Sequence, residues 1–289
     1  MRLALVFDKD RADTVGVYFE RACQQLGIPY AHWQTKDAHR IPAEFDAYLR
    51  IDHGDYAADL PATRHPCAFF AIDTHLRASW NSIQRQARHY DVVYCAQRQA
   101  AGRLGGVWVP LACDPQLHGP VEGVVQWDVA CVGTEGGVPR KFYLQALRER
   151  YPNSFIGHAP HTELGAIYSR AKIGFNYAIR DDVNMRVFEV LASGALLVTN
   201  ALGHDDLAQL GLTDGVHYVG YRRPQELWDV LDYYLSHDAP RAAIAQAGMT
   251  VAHQRHTYQH RLRQMLDGLA KRPDAMSAAN RDEVSQCKS

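Results

Sequence analysis

The sequence predicts an α/β protein made of two Rossmann-like, doubly wound domains that face each other across a cleft. Short apolar runs alternate with helix-periodic segments in the first half of the chain, a Pro- and Gly-containing stretch interrupts them, and the alternation then restarts. Short runs rich in β-branched and aromatic residues are typical of strands buried on both faces of a parallel sheet. Two successive arrays of this kind, joined by one linker, favour two doubly wound domains.

The first array predicts an N-terminal domain over residues 1–115. A helix is predicted over 14–27, where apolar residues recur at helical spacing and Gly27 ends the run. Crossover helices are expected within 74–91 and 97–105. The predicted strands are 2–7, 29–33, 47–52, 67–73, 92–96 and 107–111.

The segment 112–124 has no periodic apolar pattern and is the predicted linker. A second domain follows over 125–250, with strands predicted at 127–133, 154–157, 172–178, 195–200 and 217–221. Helices are predicted over 139–151, 162–171, 184–194 and, with interruptions, 224–271. We expect residues 251–272 to pack back on the N-terminal domain as a helix, and the polar residues 273–289 to be disordered.

Composition excludes several classes of protein. The 289 residues carry a net charge of −1, so no global field attracts nucleic acid or an anionic membrane. No apolar run reaches the length of a membrane span, and Asp8 ends the N-terminal apolar run too early for a secretory signal. The six cysteines are scattered without a C-x-x-C pair, which is typical of reduced, buried thiols. We therefore expect a cytoplasmic protein.

Candidate functional residues follow the predicted strands, because ligands of such sheets bind at the carboxyl ends of the strands. After strand 127–133 comes GTEGGVPRK, which contains Gly133, Thr134, Arg140 and Lys141. A Gly-rich turn that enters a helix offers free N–H groups and a positive dipole end. Cations are unfavourable at a helix N-terminus, so a bound anion would explain the two basic residues. A solvated first turn is the alternative, and neither G-x-G-x-x-G nor a P-loop is present.

A second candidate is the stretch RDDVNMRVFEVLASG, residues 180–194. Glu189 lies within an apolar run, where a carboxylate must meet a polar partner or be costly to bury. Arg186 lies three residues earlier on the same helical face, so a local ion pair is one explanation. Asp181 and Asp182 together also resemble a metal-binding pair. His75 follows another predicted buried strand.

Several segments together resemble a known family. They are DVVYCAQ (91–97), VPLACDP (109–115), RKFYLQAL (140–147), AKIGFNY (171–177), DVNMRVFEVLASGALLVTN (182–200) and HQRHTYQHR (253–261). They resemble the glycosyltransferases that include the CgeB spore-maturation-like proteins, over roughly residues 67–265. This resemblance implies a GT-B fold, in which the C-terminal domain binds a nucleotide sugar. Asp181 and Glu189, with seven residues between them, are similar to the E-x7-E element of retaining transferases.

The resemblance also implies residue roles. Glu189 would bind the ribose hydroxyls and Asp181 would face the donor sugar, while backbone N–H groups around Val183, Asn184 and Met185 would meet the diphosphate. Arg186, Gly133 and Thr134 are predicted in the same nucleotide-sugar site. Arg140 and Lys141 would neutralise the leaving diphosphate, and His75 would lie near the donor sugar. Asp181 is one methylene shorter than Glu, and DKDRADTVG lacks the paired glycines common in such enzymes.

The sequence therefore predicts a metal-independent, retaining glycosyltransferase that uses a nucleoside-diphosphate sugar and no other cofactor. The acceptor stays open: a polysaccharide, a lipid-linked sugar, a protein, a small molecule or modified DNA. Two alternatives also stay open. One is a nucleotide-sugar epimerase or hydrolase on the same fold, and the other is a non-catalytic module that binds nucleotide sugars.

Overall fold

The computed structural model describes residues 1–10 and 14–271, so the predicted tail 273–289 lies outside the described residues. The chain divides into two compact units. The first is Met1–Pro110 with the C-terminal residues from Gln259, and the second is Leu111–Tyr258. Each unit contains one parallel sheet flanked by helices, which confirms the predicted α/β class with two Rossmann-like sheets.

The sheet of the first unit has six parallel strands in the order β2-β1-β3-β4-β5-β6. These strands are Leu3–Val6, Tyr30–Trp33, Ala47–Ile51, Cys67–Ala71, Val92–Cys95 and Val107–Trp108, numbered β1 to β6 along the chain. Helices α1 (Val15–Leu26), α2 (Arg77–Ala87) and α3 (Arg98–Leu104) connect them. Strand β6 is shorter than the predicted 107–111, because it lies at the sheet edge and pairs only with β5 over two residues.

The core of the first unit follows from its apolar strands. All five residues of β4 are buried, as expected for a central strand covered on both faces. Helix α11 (Tyr258–Ala270) belongs to this unit from Gln259 onward. The Tyr94 hydroxyl donates to the Met265 carbonyl at 2.6 Å, and Arg261 Nε donates to the Pro110 carbonyl at 2.8 Å. These bonds fix the C-terminal helix to the first sheet.

The sheet of the second unit has five parallel strands in the order β11-β10-β9-β7-β8. They are Trp127–Val132, Ser154–Gly157, Ala171–Asn176, Leu196–Asn200 and Val219–Tyr221, numbered β7 to β11 along the chain. The helices of this unit, numbered α4 to α10, are Pro115–His118, Arg140–Arg150, Leu164–Ser169, Met185–Ser193, Asp206–Gln209, Pro224–Ser236 and Asp238–Arg255. Helix α4 lies within the segment 112–124 that was predicted as a linker. No described helix has both the length and the apolar character that crossing a membrane requires.

Helix α7 packs closely against the second sheet. A Cβ on Gly174 of β9 would lie 2.3 Å from Cγ1 of Val190, so only glycine permits this approach. Gly194 ends the helix in the left-handed conformation (φ 83°), as the sequence predicts. The close packing fixes the height of α7 above β9, and therefore the position of every side chain on the helix.

The strand order decides which loops meet. Strands β7 and β9 are not consecutive along the chain, yet they are neighbours in the sheet. Strand β10 pairs with the other edge of β9. The loops that follow Val132, Asn176 and Asn200 therefore share one edge of the sheet. The order reverses between β7 and β9, and such switch points are where doubly wound sheets bind ligands.

Candidate active site

Arg186 links the ends of two neighbouring strands. Its Nε and Nη2 donate to the carbonyl of Val132 at 2.9 and 2.6 Å, and its Nη1 donates to Oδ1 of Asn176 at 3.3 Å. Burial opposes its charge, but nearby groups that include Tyr168 and Glu189 raise the pKa of Arg186 above its usual range. Three guanidinium hydrogen bonds therefore go to the strand ends, and Glu189 acts on Arg186 through its charge.

The turn after β7 is built closely around this guanidinium. Gly133 has a φ of 131°, and a Cβ there would lie 2.3 Å from Nη2 of Arg186. Arg140, the first residue of α5, donates from Nη2 to the carbonyl of Thr134 at 2.6 Å. The structure therefore brings Gly133, Thr134, Arg140 and Arg186 together, with two guanidinium groups beside one turn.

Arg140 lies in an environment that favours a bound anion. The residue is only 8% exposed, and its Nε is buried without a hydrogen-bond partner. Burial, and then the positive charge of Arg186, lower the pKa of Arg140. Two like charges in a partly desolvated site repel each other, and an anion between them would remove that penalty.

Lys141 differs from Arg140 although the two are adjacent in the sequence. Its side chain is exposed in the first turn of α5. Successive residues of a helix point in different directions, so both cannot line the same turn in the same way. The exposed Lys141 is therefore placed differently from Arg140, whose Nη2 bonds to the turn at Thr134.

The start of α7 provides a second group of donors. Asn184 is the N-cap residue with an extended backbone (φ −83°, ψ 170°), and its side chain makes no capping hydrogen bond. Its Oδ1 is buried without a partner. Met185 begins the helix, where main-chain N–H groups lack partners within the helix and the dipole is positive. The buried Val183 side chain anchors this turn.

Asp181 lies just before this turn in a strained conformation. Its φ of 53° is in the left-handed region, although the residue is exposed. Its Oδ2 closely approaches Gly203, where a Cβ would lie 3.1 Å from that oxygen. The adjacent His204 lies with Nε2 at 2.6 Å from the Asp181 carbonyl oxygen. The loop after β10 therefore holds Asp181 in place.

Glu189 lies on the inner side of α7 and is 6% exposed. Its Oε1 is 4.0 Å from Nε2 of His118, the last residue of α4. Sequence reasoning missed both His118 and His204. The motif Asp-Pro-x-x-His at 114–118 and the Gly-His pair at 203–204 are local signals for turns. Neither signal identifies the residue that the histidine contacts.

His75 belongs to the first unit, just beyond the carboxyl end of β4. It is half-buried, and its Nδ1 is buried without a hydrogen-bond partner. Among the described residues, two groups of three side chains have metal-ligand spacing: His65, Cys67 and Asp91, and Asp8, Asp10 and His53. Both groups are in the first unit, and neither contains Asp181 or Asp182.

The fold is of the GT-B type. It is similar to the T4 phage β-glucosyltransferase solved with UDP-glucose, with a TM-score of 0.58, 11% identity and coverage of 88% of this chain and 95% of that one. An α-glucosyltransferase bound to UDP and a 13-mer DNA matches with a TM-score of 0.63, 9% identity and coverage of 93% and 99%. Anabaena Alr3699/HepE with UDP-glucose matches with a TM-score of 0.58, 12% identity and coverage of 93% and 99%.

The chain belongs to the glycosyl transferase-like family, whose model matches residues 116–267, more than half of the sequence. A comparison with curated proteins found no match. The predicted GT-B fold and the predicted enzyme class, a glycosyltransferase, are therefore confirmed. The matched region contains the Gly133 turn, α7 and the contact between His118 and Glu189.

Proposed function

We propose that this glycosyltransferase takes its sugar from a nucleoside-diphosphate sugar, whose diphosphate binds between the Gly133 turn and the N-terminus of α7. The observation that carries the proposal is the pair of arginines at this turn. Arg140 and Arg186 lie together at the switch point of the sheet, and the charge of Arg186 contributes to the lowered pKa of Arg140. A diphosphate has the charge and size to satisfy both arginines and the first turn of α7.

The same arrangement suits the chemistry of glycosyl transfer. Breaking the bond between sugar and phosphate builds negative charge on the leaving diphosphate and positive charge on the anomeric carbon. Arg140 and the N-terminus of α7 would lie near the developing negative charge of the diphosphate. Lys141 would add a further positive charge from the solvent side. With three positive groups available, we propose that no metal ion is needed for this neutralisation.

Two carboxylates are proposed to hold the rest of the donor. Glu189 would accept hydrogen bonds from the ribose hydroxyls, and Asp181 would face the sugar with its loop fixed by His204. A carboxylate near the anomeric carbon supports retention of configuration. The similar folds include enzymes named α- and β-glucosyltransferases, so the fold itself is compatible with either product. His75 stays a predicted catalytic residue on the basis of the family resemblance.

The identity of the donor nucleotide and membership of a narrower family are proposed from similarity to other proteins. UDP-glucose or UDP is bound in each of the three similar structures, so UDP is the first nucleotide to test. The motifs at 171–200 support a CgeB-like member of the family. The acceptor is still one of the classes that the sequence left open, and a cytoplasmic location stays a prediction.

A donor panel tests the proposed function. The protein is incubated with UDP-, GDP- and dTDP-sugars, with and without candidate acceptors, and nucleotide release is measured. Release that depends on an acceptor supports transfer. Release without an acceptor supports a hydrolase, and conversion of the sugar without release supports an epimerase. Tight nucleotide binding with no turnover in any combination would support a binding module and contradict the proposal.

A further inference from the structure

We propose that His118 is a positioning residue that orients the carboxylate of Glu189 toward the ribose of the bound nucleotide. The inference rests on the proposed function, because it concerns how the same nucleotide site recognises its ligand. His118 is fully buried, and its Nε2 lies 4.0 Å from Oε1 of Glu189. No motif of the sequence connects these two residues.

The hydrogen bonds of the ring determine which nitrogen carries the proton. The backbone N–H of Asp114 donates to Nδ1 of His118 at 3.1 Å. An imidazole nitrogen that accepts a hydrogen bond has a free lone pair, so the proton of the neutral ring is on Nε2. The nitrogen that carries the N–H is therefore the one that lies 4.0 Å from Oε1 of Glu189.

Helix α4 fixes the backbone of His118. Asp114 caps the helix by accepting at Oδ1 from the backbone N–H of Gln116 at 3.0 Å, and its carbonyl accepts from the backbone N–H of His118 at 2.8 Å. A Cβ on Gly165 of α6 would lie 2.3 Å from the Leu117 carbonyl oxygen, so α6 packs directly on this turn. The backbone that carries the imidazole is thus held by its own helix and by α6.

A neutral donor has a specific advantage beside a ribose-binding carboxylate. A buried carboxylate needs polar contacts, but a cationic partner would form an ion pair and compete with the ligand hydroxyls. The neutral imidazole can polarise the Glu189 carboxylate without forming an ion pair with it. The separation of 4.0 Å exceeds a direct hydrogen bond, so we expect the contact to shorten when ribose draws the carboxylate into its bound orientation.

The test uses two variants that separate the two nitrogens of the ring. In His118→Asn, the side-chain oxygen can still accept from Asp114, but no donor reaches Glu189. In His118→Gln, the longer side chain places an amide N–H near the position of Nε2. Calorimetry measures the affinity of each variant for UDP and for 2′,3′-dideoxy-UDP, which lacks the ribose hydroxyls.

We expect His118→Asn to weaken UDP binding about tenfold, the low end for a hydrogen bond to a charged group, and to leave dideoxy-UDP binding unchanged. His118→Gln should recover most of the loss. In a Glu189→Gln background, His118→Asn should add little further loss, because the two residues act through one interaction.

Other outcomes would overturn the inference. An equal loss for UDP and dideoxy-UDP, or no recovery in His118→Gln, would show that His118 only supports the fold. If Glu189→Gln weakens UDP binding but His118→Asn does not, the positioning role is wrong while the nucleotide site stands. If the unmodified protein binds no nucleoside diphosphate, the proposed function itself is wrong and the inference falls with it. Melting temperatures of both variants check that each is folded.

Discussion

The Nε2 atom of His204 lies 2.6 Å from the backbone carbonyl oxygen of Asp181. Among the described residues, Asp181 is the one non-glycine residue with a positive φ, and His204 connects it to the loop after β10. Nδ1 of His204 lies in turn 3.2 Å from Oδ1 of Asp206, at the start of α8. A strained conformation persists only where its surroundings hold it, so the direction of the Asp181 carboxylate depends on His204.

Replacing His204 should therefore reduce turnover more than donor binding. In His204→Ala the Asp181 loop can relax, and a small displacement of a group near the reacting centre costs about tenfold or more in kcat. Arg140 and the Gly133 turn lie on another loop, and the packing of α7 on β9 holds the start of that helix. We therefore expect the Kd for UDP to change less than about twofold. Steady-state kinetics with calorimetry measures both. A large loss of UDP affinity with unchanged kcat would contradict the link to Asp181.

Asp181 can be tested without adding strain. Asn tolerates the left-handed region nearly as well as Asp, so Asp181→Asn should fold normally while losing the negative charge. If the carboxylate stabilises positive charge on the sugar, kcat should fall by about a hundredfold with little change in donor KM. Asp181→Gly, whose backbone suits a φ of 53°, is the matched control for loss of the side chain. A fully active Asp181→Asn enzyme would exclude this role.

Arg140 and Lys141 allow a matched comparison, because each substitution by Gln removes one charge from the same helix turn. Without ligand, Arg140→Gln should cost little stability, since it also removes the repulsion with Arg186. UDP at about 100 times its Kd should stabilise the unmodified protein by about 2.7 kcal/mol, and Arg140→Gln should lose most of this effect. Lys141→Gln should keep most of it and lose turnover instead. Thermal melts with and without UDP, together with kcat, distinguish the two. Equal behaviour of both variants would contradict the difference in position.

The first unit carries a histidine–aspartate contact whose contribution to stability should depend on pH. His65 Nδ1 lies 2.8 Å from Oδ2 of Asp91, and this hydrogen bond raises the pKa of His65. Because the pKa of His65 is raised in the folded state, the contact contributes its full stability at a pH below the pKa of an unfolded histidine, about 6.5. This contribution is lost as the pH rises through the pKa of the folded state.

The corresponding variant is His65→Asn. The side chain of His65 is 43% exposed, so we expect the contact to be worth at most about 1 kcal/mol. The melting temperature of the unmodified protein should exceed that of His65→Asn most clearly near pH 5 to 6, and the difference should shrink toward pH 9. A difference that grows with pH would show that the pair does not act through a protonated His65.

Much of the fold was predictable because its signals are local. Buried parallel strands require nearly continuous apolar runs, and the runs that form β4, β7 and β9 are visible in the sequence. Helix α7 and its end at Gly194 were predicted for the same reason, since a helix stop depends on the backbone of one residue. The boundaries in the C-terminal region were less accurate. The chain from 224 to 270 forms three helices, and the break at His256 accompanies a contact from its Nε2 to the Leu210 carbonyl.

The sequence by itself determined that the chain contains two α/β arrays, that a Gly-rich turn precedes Arg140, and that Asp181 and Glu189 flank the start of a helix. Only the tertiary structure decided what these residues contact. Arg186 binds a carbonyl 54 residues away because the strand order places β7 beside β9, and His118 meets Glu189 because α4 packs on α7. Periodicity reports which residues are buried, but strand order and helix packing are set by the whole core, so such contacts leave no local pattern.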